Sequence, residues 1–205
     1  MSLRALVRAP ILVLLVCYAC TSGPSPDDDA TYVNDITETR AAKDQQFRED
    51  AESPVPPEKR ATILPLKYYP VDPSFSVPAS LTLNDERPVF EMPTSTGTIR
   101  RMQLVGTLHF TLKGEPQTLG AFVEEGTREI TTLFVPFADM TTGKETYSAG
   151  RYLDLHPTST GFYTIDFNAA YNPYCAYSAA YECPYPPPSN RLRVAVTAGE
   201  QAPAA

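Results

Sequence analysis

The amino-acid sequence predicts a mainly β fold: an antiparallel β-barrel or β-sandwich of about eight strands preceded by one N-terminal α-helix. Two observations support this prediction. After residue 64, apolar and polar side chains alternate with the period of two that is typical of half-buried strands. The 205 residues also include 21 prolines and 10 glycines, a composition that favours turns and short strands over long helices. The length suits one domain with flanking segments.

The first twenty residues have the features of a bacterial export signal. Arg4 and Arg8 precede the apolar run 9–20, which is too short to span a bilayer but suits the core of a signal peptide. Ala19 before Cys20 resembles the end of a lipobox, although Cys17 stands where lipoproteins usually have leucine. The resemblance implies that Cys20 carries fatty acyl chains such as palmitate. We therefore expect a membrane-anchored lipoprotein of the cell envelope that faces the periplasm or the cell exterior, with simple secretion as the alternative.

The following segments differ in composition. Residues 21–30 are small, polar and acidic, which predicts a disordered tether. Residues 31–53 favour a helix that ends before the prolines from position 54 onward. The sparse apolar positions of this helix leave open whether it packs against the domain or forms a stalk. A single β-rich domain is expected over residues 54–200, with a disordered tail at 201–205.

Short runs of strand character recur along the domain. The clearest is QLVGTLHFTLKG, in which alternate residues from Leu104 to Leu112 share one face. The other runs, separated by turn residues, are SVPASLTL, RPVFEM, PQTLGAFVEE, REITTLFVPF, GRYLDL, GFYTIDFN and NRLRVAVTAG.

Composition and motifs exclude several functions. The net charge of −7 disfavours a nucleic-acid partner. The chain has no nucleophile elbow, phosphate-binding loop, HExxH motif or pair of CxxC motifs, and its two histidines are His109 and His156. We therefore expect no cofactor and no metal site.

A stretch rich in tyrosine and proline, residues 170–190, contains Cys175 and Cys183. In an oxidising envelope compartment these cysteines would most simply form a disulfide that stabilises the loop by about 2–3 kcal/mol. Free thiols and a metal site are the alternatives. The tyrosine rings either pack the loop or line a groove for a peptide or glycan.

Polar residues before and within this stretch form a candidate ligand site. Arg151 would bind an anionic group, and Asp166 and Asn168 would orient a ligand from one side of a strand. Alternatively, the polar turn is a hairpin bonded to its own backbone, and Arg151 is a buried structural arginine paired with Asp154, Asp166 or Glu145. The candidate ligand-binding residues are Asp139, Thr141, Glu145, Tyr147, Arg151, Asp166, Asn168 and Asn172.

Two long segments, PFADMTTGKETYSAGRYLDL and IDFNAAYNPYCAYSAAYECPYPPPSNRLRVAVTAGE, closely resemble the C-terminal signature of the Domain of Unknown Function 1684 family. The resemblance extends through LKYYPVDPSFSVPASL and covers residues 32–200. Thr142 and Ser148 stand where the family more commonly has serine and glycine. The resemblance implies a domain boundary and a shared site region but no reaction.

We interpret the chain as an envelope lipoprotein whose β-rich domain binds a small polar ligand, a glycan or a peptide. The alternatives are a structural component of an envelope assembly, or an enzyme that uses Asp166 or Glu145 as an acid or base beside Arg151. Candidate side chains that converge on an open pocket would favour binding or catalysis. The same side chains, buried and bonded to one another, would favour a structural role.

Overall fold

The computed structural model describes residues 26–204. One long helix precedes a seven-stranded antiparallel sheet. The helices are α1 Pro26–Glu49 and α2 Arg60–Ile63. The strands are β1 Ser76–Leu83, β2 Val89–Pro93, β3 Ile99–Leu112, β4 Glu115–Glu124, β5 Leu133–Phe137, β6 Arg151–Leu155 and β7 Phe162–Asp166.

The strands lie in the order β6-β5-β4-β3-β1-β7, and β2 pairs with β3 outside this path. This single sheet curls into a half-barrel, which confirms the predicted mainly β fold with an N-terminal helix. The sheet does not form two packed layers, and it has seven strands rather than about eight.

The eighth predicted strand, residues 190–199, is not a strand. The main chain of Ala138 bonds to Asn190 and Leu192 there, but no regular ladder follows. Farther along, the carbonyl groups of Val196 and Ala198 accept hydrogen bonds from the guanidinium group of Arg151. A side chain therefore satisfies backbone groups that a neighbouring strand would otherwise pair.

A β-bulge changes the buried face of β3. The register with β4 shifts between Leu104 and Gly106, so that Val105 is buried as well as Leu108. An extra residue in one strand reverses the alternation of faces, which explains why strict alternation over the whole run fails at this point. The main core includes Leu108, Leu112, Leu119, Val135, Phe137, Ile165 and Phe167.

Helix α1 begins at Pro26, within the segment predicted to be a disordered tether. Proline is compatible with the first turn of a helix because its missing N–H has no intrahelical partner there, and acidic residues are favoured in that turn by the helix dipole. The tether prediction is therefore wrong for residues 26–30, and residues 21–25 lie outside the described residues. At the other end, Arg60 donates hydrogen bonds to the carbonyl groups of Arg48 and Asp50.

Helix α1 packs against the domain rather than forming a stalk. Phe47 is its anchor in a second core cluster with Val55, Ile63, Leu64, Leu66 and Tyr177. The other anchors are polar: Arg40 donates to the carbonyl groups of Tyr69 and Asn168 at 2.9 and 3.0 Å. Because hydrogen bonds replace most of the apolar contacts, the helix shows only a weak amphipathic pattern in the sequence.

The C-terminal residues are also ordered against the domain. Gln201 N–H donates to Lys67 O at 2.8 Å and Ala202 N–H donates to Glu145 O at 3.0 Å. The prediction of a disordered tail is thus wrong for residues 201–204. The predicted signal peptide and Cys20 lie outside the described residues. Within residues 26–204, no helix has the length and apolar character needed to cross a membrane.

Candidate functional site

Arg151, at the first position of β6, lies at the centre of a buried polar cluster. Its side chain is 1% exposed, and its Nη2 donates to Asp139 Oδ2 at 3.0 Å. Its other acceptors are the carbonyl groups of Val196, Ala198 and Glu200. Burial is the main cause that lowers the pKa of Arg151, while the neighbouring carboxylate of Asp139 acts in the opposite direction.

Arg151 pairs with Asp139. This residue is not among the three partners that the sequence suggests, Asp154, Asp166 and Glu145. Asp139 is 2% exposed, and its second oxygen accepts hydrogen bonds from the N–H and hydroxyl groups of Thr141, each at 2.7 Å. Thr141 Oγ1 also lies 3.0 Å from Thr146 Oγ1. The polar turn is therefore closed on itself, as in the structural alternative, and Arg151 fixes the C-terminal segment to the sheet.

Asp166 and Asn168 form a second cluster where β7 meets α1. Tyr32 of α1 donates its hydroxyl hydrogen to the Asp166 carboxylate at 2.8 Å. Asn168 is 2% exposed. Its side-chain amide accepts a hydrogen bond from the N–H of Asp72 at 3.0 Å and donates one to the carbonyl oxygen of Asp72 at 2.8 Å. Burial, followed by the hydrogen bond to Asp166, raises the pKa of Tyr32. This cluster holds the helix to the sheet.

A third cluster surrounds Glu200, a residue that the sequence analysis does not single out. Its carboxylate is almost fully buried and accepts hydrogen bonds from Lys43 Nζ at 2.5 Å, Tyr177 Oη at 2.7 Å and Asn172 N at 2.7 Å. Asn172 Nδ2 donates to Gln201 O at 2.8 Å. No local pattern marks Glu200, because its partners Asn172, Tyr177 and Lys43 lie 28, 23 and 157 residues away along the chain.

Glu145 and Tyr147 occupy the outer side of this region. The exposed Glu145 accepts a hydrogen bond from Tyr69 Oη at 3.0 Å, and burial together with this bond raises the pKa of Tyr69 to about 12. Tyr147 is half-buried, and its hydroxyl lies 3.3 Å from the carbonyl oxygen of Cys175. The eight candidate residues thus belong to separate clusters and do not converge on one pocket.

A cleft lies beside these clusters, between α1, strands β3, β5 and β6, and the loop 171–184. Its volume is about 720 Å³, and none of the eight candidate residues lines it. Such a volume is in the usual range for a small-molecule site. The residues that line it are Thr39, Ala42, Lys43, Gln46, Phe47, Arg100, Phe134, Tyr152, Asp154, Tyr171, Pro173, Tyr174, Tyr181, Glu182, Cys183 and Pro184.

Aromatic rings form two walls of this cleft. On the sheet side, Tyr152 makes edge-to-face contacts with Phe134 and Tyr171, with ring centroids 4.7 and 5.8 Å apart. On the other side, Tyr174 makes similar contacts with Phe47 and Tyr181, at 6.2 and 5.2 Å. Edge-to-face packing holds each ring in a defined orientation. The tyrosine-rich loop therefore provides lining residues of the cleft, and its rings also pack against one another.

The charged groups around the cleft compensate one another. Lys43 pairs with Glu200, and Asp154 accepts a hydrogen bond from Tyr171 Oη at 2.7 Å. Arg100 lies 3.6 Å from Glu124 and 3.9 Å from Glu182. The two cations and two carboxylates of the lining leave no net charge. The cleft thus combines apolar ring surfaces with balanced polar groups.

Comparison with known proteins gives the family. A family profile described as a protein of unknown function (DUF1684) matches residues 63–201. The chain belongs to the DUF1684 family. The match begins at the end of α2, whereas the resemblance seen in the sequence extends from residue 32.

A solved structure shares the fold of this DUF1684 protein. It is the solution NMR structure of an uncharacterised protein from Haloarcula marismortui, with 41% sequence identity and a TM-score of 0.68. The similarity covers 86% of this chain and 97% of the archaeal chain. Among curated proteins there is no match.

The two cysteines of the DUF1684 domain are free thiols in the structure rather than the expected disulfide. They are nevertheless in contact, since Cys175 N–H donates to Cys183 Sγ at 3.2 Å. Within residues 26–204, no group of three or more histidine, cysteine or acidic side chains is arranged to hold a metal ion.

Proposed function

We propose that this protein binds a glycan in the aromatic cleft, in the cell envelope. The observation that supports this proposal best is the combination of two tyrosine walls with charged groups that are already compensated. A sugar ring has a flat apolar face and peripheral hydroxyl groups, and it carries no charge that the site would need to neutralise. A cleft with aromatic surfaces and a few polar groups meets these requirements.

The ring of Tyr174 is the best candidate for a stacking surface. It is 44% exposed, although it lies among residues that line the cleft. Its edge-to-face contacts with Phe47 and Tyr181 hold it in place before a ligand arrives. A ring that is already ordered loses little conformational freedom on binding, so its contact area contributes more to affinity.

Polar groups around the rings supply partners for sugar hydroxyls. Asp154 and Glu182 offer carboxylate acceptors, while Arg100 and Gln46 offer donors. The side chain of Arg100 is 36% exposed, and its two carboxylate neighbours lie beyond hydrogen-bond distance, at 3.6 and 3.9 Å. Arg100 therefore takes the recognition role that the sequence assigns to Arg151, whose donors are used inside the domain.

The polar clusters around Arg151, Asp166 and Glu200 have a structural role in this proposal. They fix β6, β7, the C-terminal segment and α1 relative to one another. Since α1 forms one side of the cleft, the clusters maintain the site without contacting the ligand. The carboxylate beside Arg151 is the buried Asp139, which leaves Glu145 and Asp166 outside the acid–base arrangement considered above.

NMR titration of the ¹⁵N-labelled protein tests glycan binding. The probes are maltotriose and the trimer of N-acetylglucosamine, each taken to about 10 mM so that millimolar binding is detected. Shifts confined to residues that line the cleft, and lost in Tyr174→Ala, are expected. Tyr185→Ala is the matched control, because Tyr185 is similarly exposed at 38% but does not line the cleft.

Other outcomes would refute this proposal. If neither trisaccharide shifts any resonance of the cleft, a general glycan site of this kind is excluded. Shifts that persist in Tyr174→Ala would place binding elsewhere. If a proline-rich peptide moved the cleft resonances and the sugars did not, the ligand would be a peptide.

The envelope location rests on the first twenty residues. The apolar run 9–20 and the lipobox-like ending at Cys20 support export and lipidation. Bacteria expressing the full chain and fed an alkyne-bearing palmitate analogue should label the wild type and Cys17→Ser but not Cys20→Ala. Equal labelling of Cys20→Ala, or no labelling of the wild type, would refute the lipid anchor.

A further inference from the structure

The contact between Cys175 and Cys183 places two thiols next to each other at the edge of the aromatic cleft. Cys175 is half-buried and reachable from solvent, whereas Cys183 is 6% exposed and lines the cleft. The backbone N–H of Cys175 donates to Cys183 Sγ at 3.2 Å, which holds both residues in one tight loop. An accessible thiol with a protected neighbour has the arrangement required of an attacking and a resolving cysteine.

Several donors surround the outer thiol. The Cys183 thiol has the largest effect on the pKa of Cys175, and the hydroxyl groups of Tyr147 and Ser95 act in the same direction. The Tyr147 hydroxyl donates to this sulfur at 3.9 Å, and Ser95 Oγ accepts from Cys183 N–H at 3.1 Å. These polar neighbours lower the pKa of Cys175 to about 6, while the interaction with Cys175 raises the pKa of Cys183.

Other titratable groups lie around the pair. Tyr152 interacts electrostatically with both cysteines, and burial raises its pKa, so that it is neutral near pH 7. Tyr185 interacts electrostatically with Tyr147. The positive charge of Arg100 favours the thiolate of Cys183, but the interaction with Cys175 is the larger cause and raises the pKa of Cys183.

We propose that Cys175 and Cys183 form a thiol–disulfide exchange site, in which Cys175 attacks a disulfide of a small molecule or protein and Cys183 resolves the product. The proposal does not depend on glycan binding. It assigns a reactive role to a pair for which the sequence suggested a stabilising disulfide.

The exchange balances in two steps. The Cys175 thiolate attacks one sulfur of a disulfide RSSR, forming a Cys175–SR bond and releasing the thiolate RS⁻. The RS⁻ ion or solvent then takes the proton of Cys183, whose sulfur attacks Cys175 and expels the second RS⁻. The protein dithiol is oxidised to a disulfide, and RSSR is reduced to two thiols.

The lowered pKa of Cys175 increases its rate of reaction with disulfides at mildly acidic pH. At pH 6, about half of a thiol with a pKa near 6 is thiolate, which is on the order of a hundred times the fraction for an ordinary cysteine. The lower basicity reduces the intrinsic nucleophilicity by about tenfold. Cys175 should therefore react with a small disulfide about tenfold faster than an unperturbed cysteine at this pH.

Reaction of the reduced full-length protein with 5,5′-dithiobis(2-nitrobenzoic acid) tests the order of attack. Trypsin releases peptide 152–191, which contains both Cys175 and Cys183 but neither Cys17 nor Cys20, so its mass reports only on this site. The wild-type peptide should lose two hydrogens without retaining nitrobenzoate. Cys183→Ser should retain one nitrobenzoate on Cys175, and Cys175→Ser should react at least about tenfold more slowly at pH 6.

Tyr147→Phe distinguishes activation from simple exposure. It removes one hydrogen-bond donor and should slow the reaction of Cys175 at pH 6, with the pH midpoint shifted upward from about 6. Tyr163→Phe, in β7, is the tyrosine control and should leave the rate unchanged. Urea midpoints of all variants show whether each remains folded.

Three results would overturn the proposal. The first is modification of Cys183 before Cys175 in the wild type. The second is a rate for Cys175 in the wild type at pH 6 that equals the rate of a short cysteine peptide. The wild-type peptide could also retain a mixed disulfide on each cysteine, which would show that the second step does not occur.

Discussion

Replacement of Arg151 tests whether the buried polar cluster stabilises the domain. Arg151→Met keeps most of the side-chain volume but removes every donor to Asp139 and to the carbonyl groups of Val196, Ala198 and Glu200. Breaking a buried ion pair costs about 3–5 kcal/mol. Each carbonyl left without a donor adds about 1 kcal/mol at the lower end of the usual range, which gives a total of about 6–8 kcal/mol.

That loss is comparable to the whole stability of an ordinary domain, about 5–15 kcal/mol. Arg151→Met should therefore be largely unfolded or have a greatly lowered urea midpoint. Arg151→Lys keeps the charge, but an ammonium group has three donors for four acceptors. It should lose about 1–3 kcal/mol and lie between the wild type and Arg151→Met.

The matched control is Arg101→Met on β3. Arg101 also contacts carboxylates, at 2.6 Å from Glu125 and 3.1 Å from Glu91, but its side chain is 52% exposed. Because solvent screens such a pair, the urea midpoint of Arg101→Met should differ little from that of the wild type. The reasoning is refuted if Arg151→Met and Arg101→Met lower the midpoint equally. Arg151 would then be free to act in recognition, and its cluster would again be a candidate ligand site.

Three further substitutions test separate contacts. Tyr32→Phe removes the donor to Asp166 and should cost about 1–3 kcal/mol, with faster amide exchange in α1; unchanged exchange would contradict docking through this bond. Gly199→Ala places Cβ 2.6 Å from two carbonyl oxygens at a φ of +76°, so a loss of at least about 1–3 kcal/mol in urea unfolding is expected, and wild-type stability would disprove the strain. Leu108→Ala empties a fully buried site and should cost about 2–5 kcal/mol; a loss under about 1 kcal/mol would place Leu108 outside the core.

The alternation of side chains was sufficient to locate most of the sheet. The run SVPASLTL coincides with β1, and the next six runs each overlap one strand. Local alternation succeeds for strands such as β1 and β7, which have one face against the core and one toward solvent, whereas β5 and β6 are buried almost throughout and were found as short apolar runs. It fails for residues 190–199, since those backbone groups find a guanidinium partner that is distant in sequence.

The sequence did not indicate which of the candidate polar residues are buried. It singled out Arg151, Asp139 and Asn168 as ligand-binding candidates, and their burial depends on how distant segments close over them. Lys43 and Glu200, which lie 157 positions apart, have no pattern that links them. Arg100 was missed because a charged residue on a strand is ordinary until a cleft forms beside it.

By itself, the sequence determined the fold class, the order of seven strands along the chain, the family resemblance and the expectation of an export signal. These features depend on composition and on patterns within a few residues. Tertiary structure alone decided that Asp139 rather than a nearby carboxylate pairs with Arg151, that α1 packs against the sheet, and that tyrosines from separate segments enclose a cleft. Such outcomes depend on which long-range contacts satisfy buried polar groups, and residue spacing along the chain does not specify those contacts.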